Sequence, residues 1–537
     1  MKTRNLTMLA MLGGLAPLLV GGCGERGPRW DAPLDSVQPF ALLDAVAITD
    51  PAEERVVLLT TDDAQAVSLT SVGIQRGMQA SAVAPDRSKL FVVSAGDGDG
   101  DGHGGAAPQT PALEIVTRAP AARARYPLSE ALTGLALDPR GAWAVLFADD
   151  TSTSLVRNPN ELLLVDLSQP ASAANPISHT LRSFGGKPQR FTFTDPLELP
   201  GGTRRLLVVE TEQDVAIIDL LHPAEPEITI QLSSGQDARQ LHPAGVVVTD
   251  GDAGPNDARL AIRVDDSSVV VATLAPTTGR DFSPTLNLTD VGGIPSDAAW
   301  VRTDAGALAL AVLVPTASKA VVVDPTTGLT VDVALPAAYR SLSLVTAQSG
   351  AGDPATAAVD VALLWNGPAG GVSFWELGRV AGQPYRSVET VGVTEAVTSV
   401  RDVSGIHPEL KILGTRGSDF FLLDLKARTS APFLTSLGEV GVLPSTTGDR
   451  AWVFEEGAAQ LAAVDLQTLH PEAMRTELPI WNLFEIAATG PTTTARSLVA
   501  LDQAGTWGAT VYDATAATHP DNRTIVTGIL LEAIHAP

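Results

Sequence analysis

Short apolar runs, each cut off by a polar or turn-forming residue, follow one another along nearly the whole chain. The sharpest close on an aspartate: Leu-Leu-Leu-Val before Asp166, Val-Ala-Ile-Ile before Asp219, Ala-Val-Val-Val before Asp324, Phe-Phe-Leu-Leu before Asp424 and Leu-Ala-Ala-Val before Asp465. Weaker copies end at Thr70, Thr117, Thr273, Glu376 and Asp513, and successive ends stand 41 to 54 residues apart. A period of about 50 residues held over most of a chain is the mark of a repeat architecture.

Each period repeats one grammar, clearest in residues 190–233, where the segments 190–194, 205–211, 215–220 and 227–232 are strand-like and Pro, Gly, Asp or Gln separates them. Four short strands in about 50 residues make one blade of a β-propeller. The runs are near-continuously apolar instead of alternating, as expected of strands covered on both faces by neighbouring blades. The sequence therefore predicts an all-β fold, a β-propeller built from about ten four-stranded units over residues 41–537. Ten exceeds the usual four to eight blades, so one large ring, two joined rings, or a smaller ring with insertions all fit the pattern.

Two segments carry a resemblance. Lys89-Leu-Phe-Val-Val-Ser94 is similar to the second strand, and Lys319-Ala-Val-Val-Val-Asp-Pro-Thr-Thr-Gly-Leu-Thr330 to the third strand and hairpin, of the YVTN-type repeat propellers of bacterial exported proteins. The resemblance implies a propeller outside the cytoplasm. It implies no single activity, since such rings serve both as binding platforms and as enzymes.

The first 22 residues read as an export signal: Lys2 and Arg4, then an apolar stretch from Leu6 to Val20 broken by Gly13, Gly14 and Pro17, then small residues. The stretch is shorter than the ~20 residues that span a bilayer as a helix. Val20-Gly21-Gly22-Cys23 resembles a bacterial lipobox, in which the thiol is lipidated and becomes the new N-terminus. Cys23 is the only cysteine in 537 residues, so no internal disulfide, cysteine-ligated zinc or iron–sulfur cluster is available. Residues 23–40, with Pro28, Pro33 and Pro39, read as a lipid-anchored tether.

Charge narrows the partners. Loss of Lys2 and Arg4 with the signal takes the formal net charge from −25 to −27, which repels phosphate backbones and excludes nucleic acid as a natural partner. Aromatic residues make up 5% of the chain, too few for the girdles of a membrane barrel.

Candidate chemistry is sparse. The strand-end aspartates sit where a carboxylate caps the N–H groups of a hairpin turn, a structural task. Five histidines precede proline, His222, His242, His407, His470 and His519; they mark loops, and a closed ring would spread them around one rim. No Gly-x-Ser-x-Gly, phosphate loop or thiol nucleophile is present. The one dense polar cluster is Asp97-Gly-Asp99-Gly-Asp101-Gly-His103, followed by Gly104 and Gly105. Carboxylates at alternate positions before a glycine resemble the opening of a calcium loop, although Pro108 stands where the bidentate glutamate belongs. Asp97, Asp99 and Asp101 are thus candidate calcium ligands, with a solvated Asp/Gly loop as the alternative. A second long excursion, with Asp149, Asp150, Arg157 and Asn160, falls at the equivalent place in the next unit, so the two loops share one binding rim.

The sequence favours a lipid-anchored, non-enzymatic binding or assembly platform at the cell envelope, in the outer membrane or at the cell surface, with an envelope protein or glycan as partner. The alternative is a propeller enzyme, a hydrolase or lactonase-like protein using a divalent cation, and a cluster of carboxylates converging on the central channel would mark it.

Overall fold

The computed structural model describes residues 37–532 except 97–108, 119, 150–157, 173, 183–184, 234–239, 252–256, 279, 304–306, 346–360, 369, 378–386, 404–406, 436, 439–440, 490–494, 504–506 and 515–522. Within it the chain forms ten four-stranded antiparallel sheets and one two-stranded hairpin. The ten blades span residues 38–73, 78–127, 134–180, 188–231, 243–290, 297–334, 341–391, 397–432, 441–475 and 482–527, and are numbered 1 to 10 in that order. Among the described residues helix is confined to a 3-10 turn at Pro315–Ala317 and one short turn at Ile529–Glu532. No helix among the described residues is long and apolar enough to cross a membrane.

The four runs read in residues 190–233 are the strands Pro188–Phe193, Leu206–Thr211, Asp214–Asp219 and Ile228–Gln231 of blade 4. Lys89–Ser94 is the second strand of blade 2, and Lys319–Val323 the third strand of blade 6. The middle strands are buried almost without interruption, as in Leu206–Thr211, where every residue is covered. One repeat marker is misplaced: Thr70 lies in the fourth strand of blade 1 (Val67–Gly73), while the third strand is Arg55–Thr61. Val67 and Leu69 imitate the apolar run, but Ser68 and Thr70 alternate with them to solvent, as an outer strand requires. The first strand, Gln38–Ala41, also takes in the last residues of the segment read as a tether.

First strands of neighbouring blades approach one another, in blades 2 and 3, 5 and 6, 6 and 7, and 10 and 1, so they form the inner wall and the fourth strands the outer rim. Each seam between successive blades holds its own apolar cluster. The tenth cluster joins the ends of the chain: Val46, Ile48, Val57 and Leu59 of blade 1 pack on Ile486, Val499, Leu501 and Val511 of blade 10, with Ile529 and Leu530 filling in behind. The ring is therefore single and closed, with ten blades. It closes with no exchanged strand, since all four strands of blades 1 and 10 are contiguous in sequence.

Polar bonds reinforce that seam. The Thr489 N–H donates to the Thr61 carbonyl (2.7 Å), the Ala487 N–H to the Leu43 carbonyl (2.8 Å), and Thr61 Oγ1 to Ser497 Oγ (2.8 Å). Arg55, buried and paired with Asp50 at 2.9 Å, donates to the Leu530 carbonyl at 2.5 Å. Arg87, from the first turn of blade 2, donates to the carbonyls of Leu42 (2.8 Å) and Glu485 (3.1 Å) and so ties blades 1, 2 and 10 together.

Candidate functional site

In an antiparallel blade the turns between strands one and two and between strands three and four open on one face; the turn between strands two and three and the link to the next blade open on the other. The strand-end aspartates fall on the first of these faces and cap their turns. Asp219 accepts from the Leu221 N–H (2.9 Å), Asp324 from Thr326 (2.8 Å) and Thr327 (3.1 Å), Asp424 from Lys426 and Ala427 (both 2.8 Å), and Asp465 from Gln467 (3.0 Å) and Thr468 (2.7 Å). Asp166 does the same with Ser168 (2.9 Å). The Thr468 N–H, outweighing burial, holds the Asp465 carboxyl below the usual range.

The proline-flanked histidines do not share one rim. His222 and His470 lie in third-to-fourth turns and His407 in a first-to-second turn, but His242 lies in the link from blade 4 to blade 5, on the opposite face. Proline follows each of them because it suits any loop, whichever face that loop takes. His519 falls outside the described residues.

The two long second-to-third connections, residues 95–111 of blade 2 and 148–160 of blade 3, leave the same face of adjacent blades. Cys23, Asp97, Asp99, Asp101, Asp150 and Arg157 lie outside the described residues. Asp149 and Asn160 stand at the base of their loop and are engaged there. Asp149 Oδ1 accepts from Thr133 Oγ1 (2.8 Å), and the Asn160 carbonyl accepts from the Leu181 N–H (3.0 Å). The neck of the blade 2 loop is gripped as firmly. The Gly96 N–H donates to the Arg76 carbonyl (3.0 Å), and the Arg76 N–H to Gln109 Oε1 (3.0 Å). Gly96 has φ +73°, and a Cβ there would lie 2.2 Å from the Gln109 carbonyl oxygen, so only glycine fits.

A feature that pattern reading missed lies on the other face. Between the first two strands of blade 4 the chain inserts a hairpin, Leu197–Leu199 paired with Gly202–Arg204, turned at Pro200 and Gly201. Its leucines are buried in the apolar cluster of the seam between blades 4 and 5, which also holds Phe282. Arg204 at its end pairs with both Asp219 and Asp281 and lies 3.2 Å from His222 Nδ1, in a cleft of about 340 Å³. Burial opposes the guanidinium charge, but the two carboxylates outweigh it and push its pKa up. The result is a cross-brace in which two carboxylates hold one guanidinium. Pro200-Gly201-Gly202 between two leucines and Arg204 is the signal that could have revealed it.

Several of the other buried acids hold seams. Asp138 receives a two-pronged bond from Arg205 of blade 4 (2.6 and 2.7 Å). Glu485 of blade 10 accepts from the Thr446 N–H (3.2 Å) and Trp452 Nε1 (3.1 Å) of blade 9. Glu227 lies 3.4 Å from His179, across the seam of blades 3 and 4. Glu210 is pushed up by burial, which the nearby Arg190 and Arg263 only partly offset. Among the described residues no group of three or more His, Cys, Asp or Glu could hold a metal ion.

No protein-family model and no curated protein matches the chain. Solved structures do resemble it. The dihydro-heme d1 dehydrogenase NirN in complex with DHE is 13% identical over 81% of this chain and 74% of its own, with a TM-score of 0.39. Sqt1 of Saccharomyces cerevisiae is 13% identical over 70% and 94%, also at 0.39. The WD40 domain of SCAP from fission yeast is 12% identical over 70% and 92%, at 0.36. At such identity these are likenesses of fold, and none brings a ligand or partner to this chain.

Proposed function

We propose that this ring is a binding or assembly platform of the YVTN-like propeller kind, carried on a lipid anchor at Cys23 at the cell envelope and taking a protein or glycan partner on the face that bears the connections 95–111 and 148–160. One observation carries the reading: two long connections leave the same face of adjacent blades whose seam is packed solid and whose loop necks are fixed. Long loops on a rigid frame are the usual location of a binding surface. The ionisable groups of the seams support it too, because Asp138, Glu485, Arg87 and Arg204 are each spent on joining one blade, or one hairpin, to the next.

Photo-crosslinking side chains placed on intact cells at position 101 or 150 should give adducts of discrete mass, and the same probe at Thr468, on the opposite face, should not. Equal adducts from both faces, or none from either, would sink the platform reading. The anchor is tested separately: Cys23→Ser should move the protein from the membrane fraction into the soluble exported fraction, and a variant that stays with the membrane would refute lipidation.

A further inference from the structure

The outer strand of blade 5 is unlike every other outer strand. It runs Arg280–Asp290, 11 residues, while the next longest, Val67–Gly73, has 7. Among the described residues its partner in the sheet is the third strand, Ser268–Thr277, and no strand pairs with its other edge. Outer edges are commonly protected by charge or polarity. Arg123, Asp332, Glu389, Glu472 and Arg523 supply charge in blades 2, 6, 7, 9 and 10; Ser68, Thr180, Gln231 and Thr429 face solvent in blades 1, 3, 4 and 8. Blade 5 keeps its acids, Asp281 and Asp290, at the ends of the strand and presents two exposed leucines between them, Leu286 and Leu288, 46% and 59% exposed, where blades 6 and 10 expose one apolar residue each, Val331 and Ile525.

The direction of the backbone groups follows from the register. The Leu274 N–H bonds to the Ala258 carbonyl, toward the second strand, and Leu274 stands opposite Pro284. Pro284, Leu286, Leu288 and Asp290 therefore turn their backbone groups to the free edge, while odd-numbered residues such as Val291, bonded to the Ser267 carbonyl, turn inward. The proline has no N–H to offer and stops further pairing at that end.

The segment Thr285-Leu286-Asn287-Leu288-Thr289 reads the same in both directions. We propose that this edge is a self-association site, at which a second copy of the chain adds its own blade 5 strand antiparallel across a two-fold axis at Asn287. Leu286 then faces Leu288 of the second copy as a hydrogen-bonded pair, and all four leucines gather on one face of an eight-stranded sheet. Charge permits this: Phe282–Thr289 carries no ionisable side chain, so two chains of net charge −25 meet along a neutral strip. The patch is small against the ~1,200 Å² of a standard interface, so the dimer is weak and depends on concentration. The inference does not rest on the anchor or on the platform reading.

The axis fixes the test. Asn287 meets Asn287 as a non-hydrogen-bonded pair with Cα atoms about 4.5 Å apart, within disulfide reach. Thr285 meets Thr289, so two copies of position 285 lie far apart. In full-length chain carrying Cys23→Ser, Asn287→Cys should oxidise to a covalent dimer at least about tenfold faster than Thr285→Cys. Sedimentation of the parent should show mass rising with concentration, and Leu286→Lys/Leu288→Lys should stay monomeric with an unchanged melting temperature. Parent protein that remains monomeric, equal oxidation of the two cysteine variants, or a dimer that survives the double lysine change would each overturn the proposal.

Discussion

Asp138 shows how a single carboxylate is committed to the frame. It caps its own turn by accepting from the N–H groups of Arg140 (3.0 Å) and Ala142 (3.1 Å), and it also takes the forked guanidinium of Arg205 from the next blade. Burial alone would raise its pKa; the bonds from Arg205 and the turn outweigh burial and lower it. A folded pKa below the unfolded value of about 3.9 means that the contribution is complete above that value and is lost as pH falls through the folded one. Asp138→Asn should cost about 2–4 kcal/mol at neutral pH, because it leaves Arg205 without its charge partner. Thermal melts of parent and variant should differ by the same amount at pH 6 and 8, and the gap should narrow as pH falls below about 4 toward the folded pKa. A gap that is as wide at pH 3 as at pH 6 would show that the carboxylate acts by shape and not by charge.

The hairpin of blade 4 makes the same point one level up. Two three-residue strands cannot stand alone, and Leu197–Leu199 with Gly202–Arg204 persists because Leu197 and Leu199 are buried in the seam with blade 5 and Arg204 is braced by Asp219 and Asp281. Leu199→Ala should lower stability by about 2–4 kcal/mol, and hydrogen exchange should quicken first in Ser268–Thr277 and Arg280–Asp290, the blade 5 strands that share the hairpin's apolar cluster. Exchange that quickens uniformly around the ring would mean that the hairpin contributes nothing local. Asp219 illustrates the limit of reading by element. Its place at the end of an apolar run shows that it caps a turn, and gives no sign of its second partner, Arg204, which arrives from an inserted segment.

At the scale of the whole ring, closure without an exchanged strand puts all the burden on one seam. That seam holds the Val46–Ile486 cluster and the Arg55, Arg87 and Thr61 bonds, and it is no stronger in kind than the other nine. Arg87→Ala should cost about 1–3 kcal/mol, with blades 1 and 10 losing hydrogen-exchange protection before the rest. Deleting residues 424–466 removes one period and forces nine blades into the curvature of ten, leaving apolar seam surface unpaired. Aggregated protein is the expected product, and a deletion variant that melts cooperatively near the parent temperature would show that the seams bear less than the packing implies.

The periodic part of this protein was legible in its sequence. The run before each aspartate, the turn that follows and the near-continuous burial of the middle strands are all settled by residues within a few positions of one another, because a strand covered on both sides needs apolar residues throughout and a tight turn needs an acceptor for its N–H groups. That was enough to give the fold class, the four strands of blade 4 and a tally of about ten units, with the number of blades and rings left open. Chain ends and faces were decided elsewhere. Whether ten units made one ring depended on residues 38–73 meeting residues 482–527, and the Arg87 bond to Glu485 joins positions that no local pattern connects. Thr70 passed for a third strand because an outer strand with two apolar positions resembles an inner one until its exposed side is known. His242 departed from the other histidines because a loop's face is set by its place in the strand order, which proline does not encode. Sequence determined what each blade is; the closing of the ring determined which residues of distant blades came together, since those contacts exist only when all ten seams are made at once.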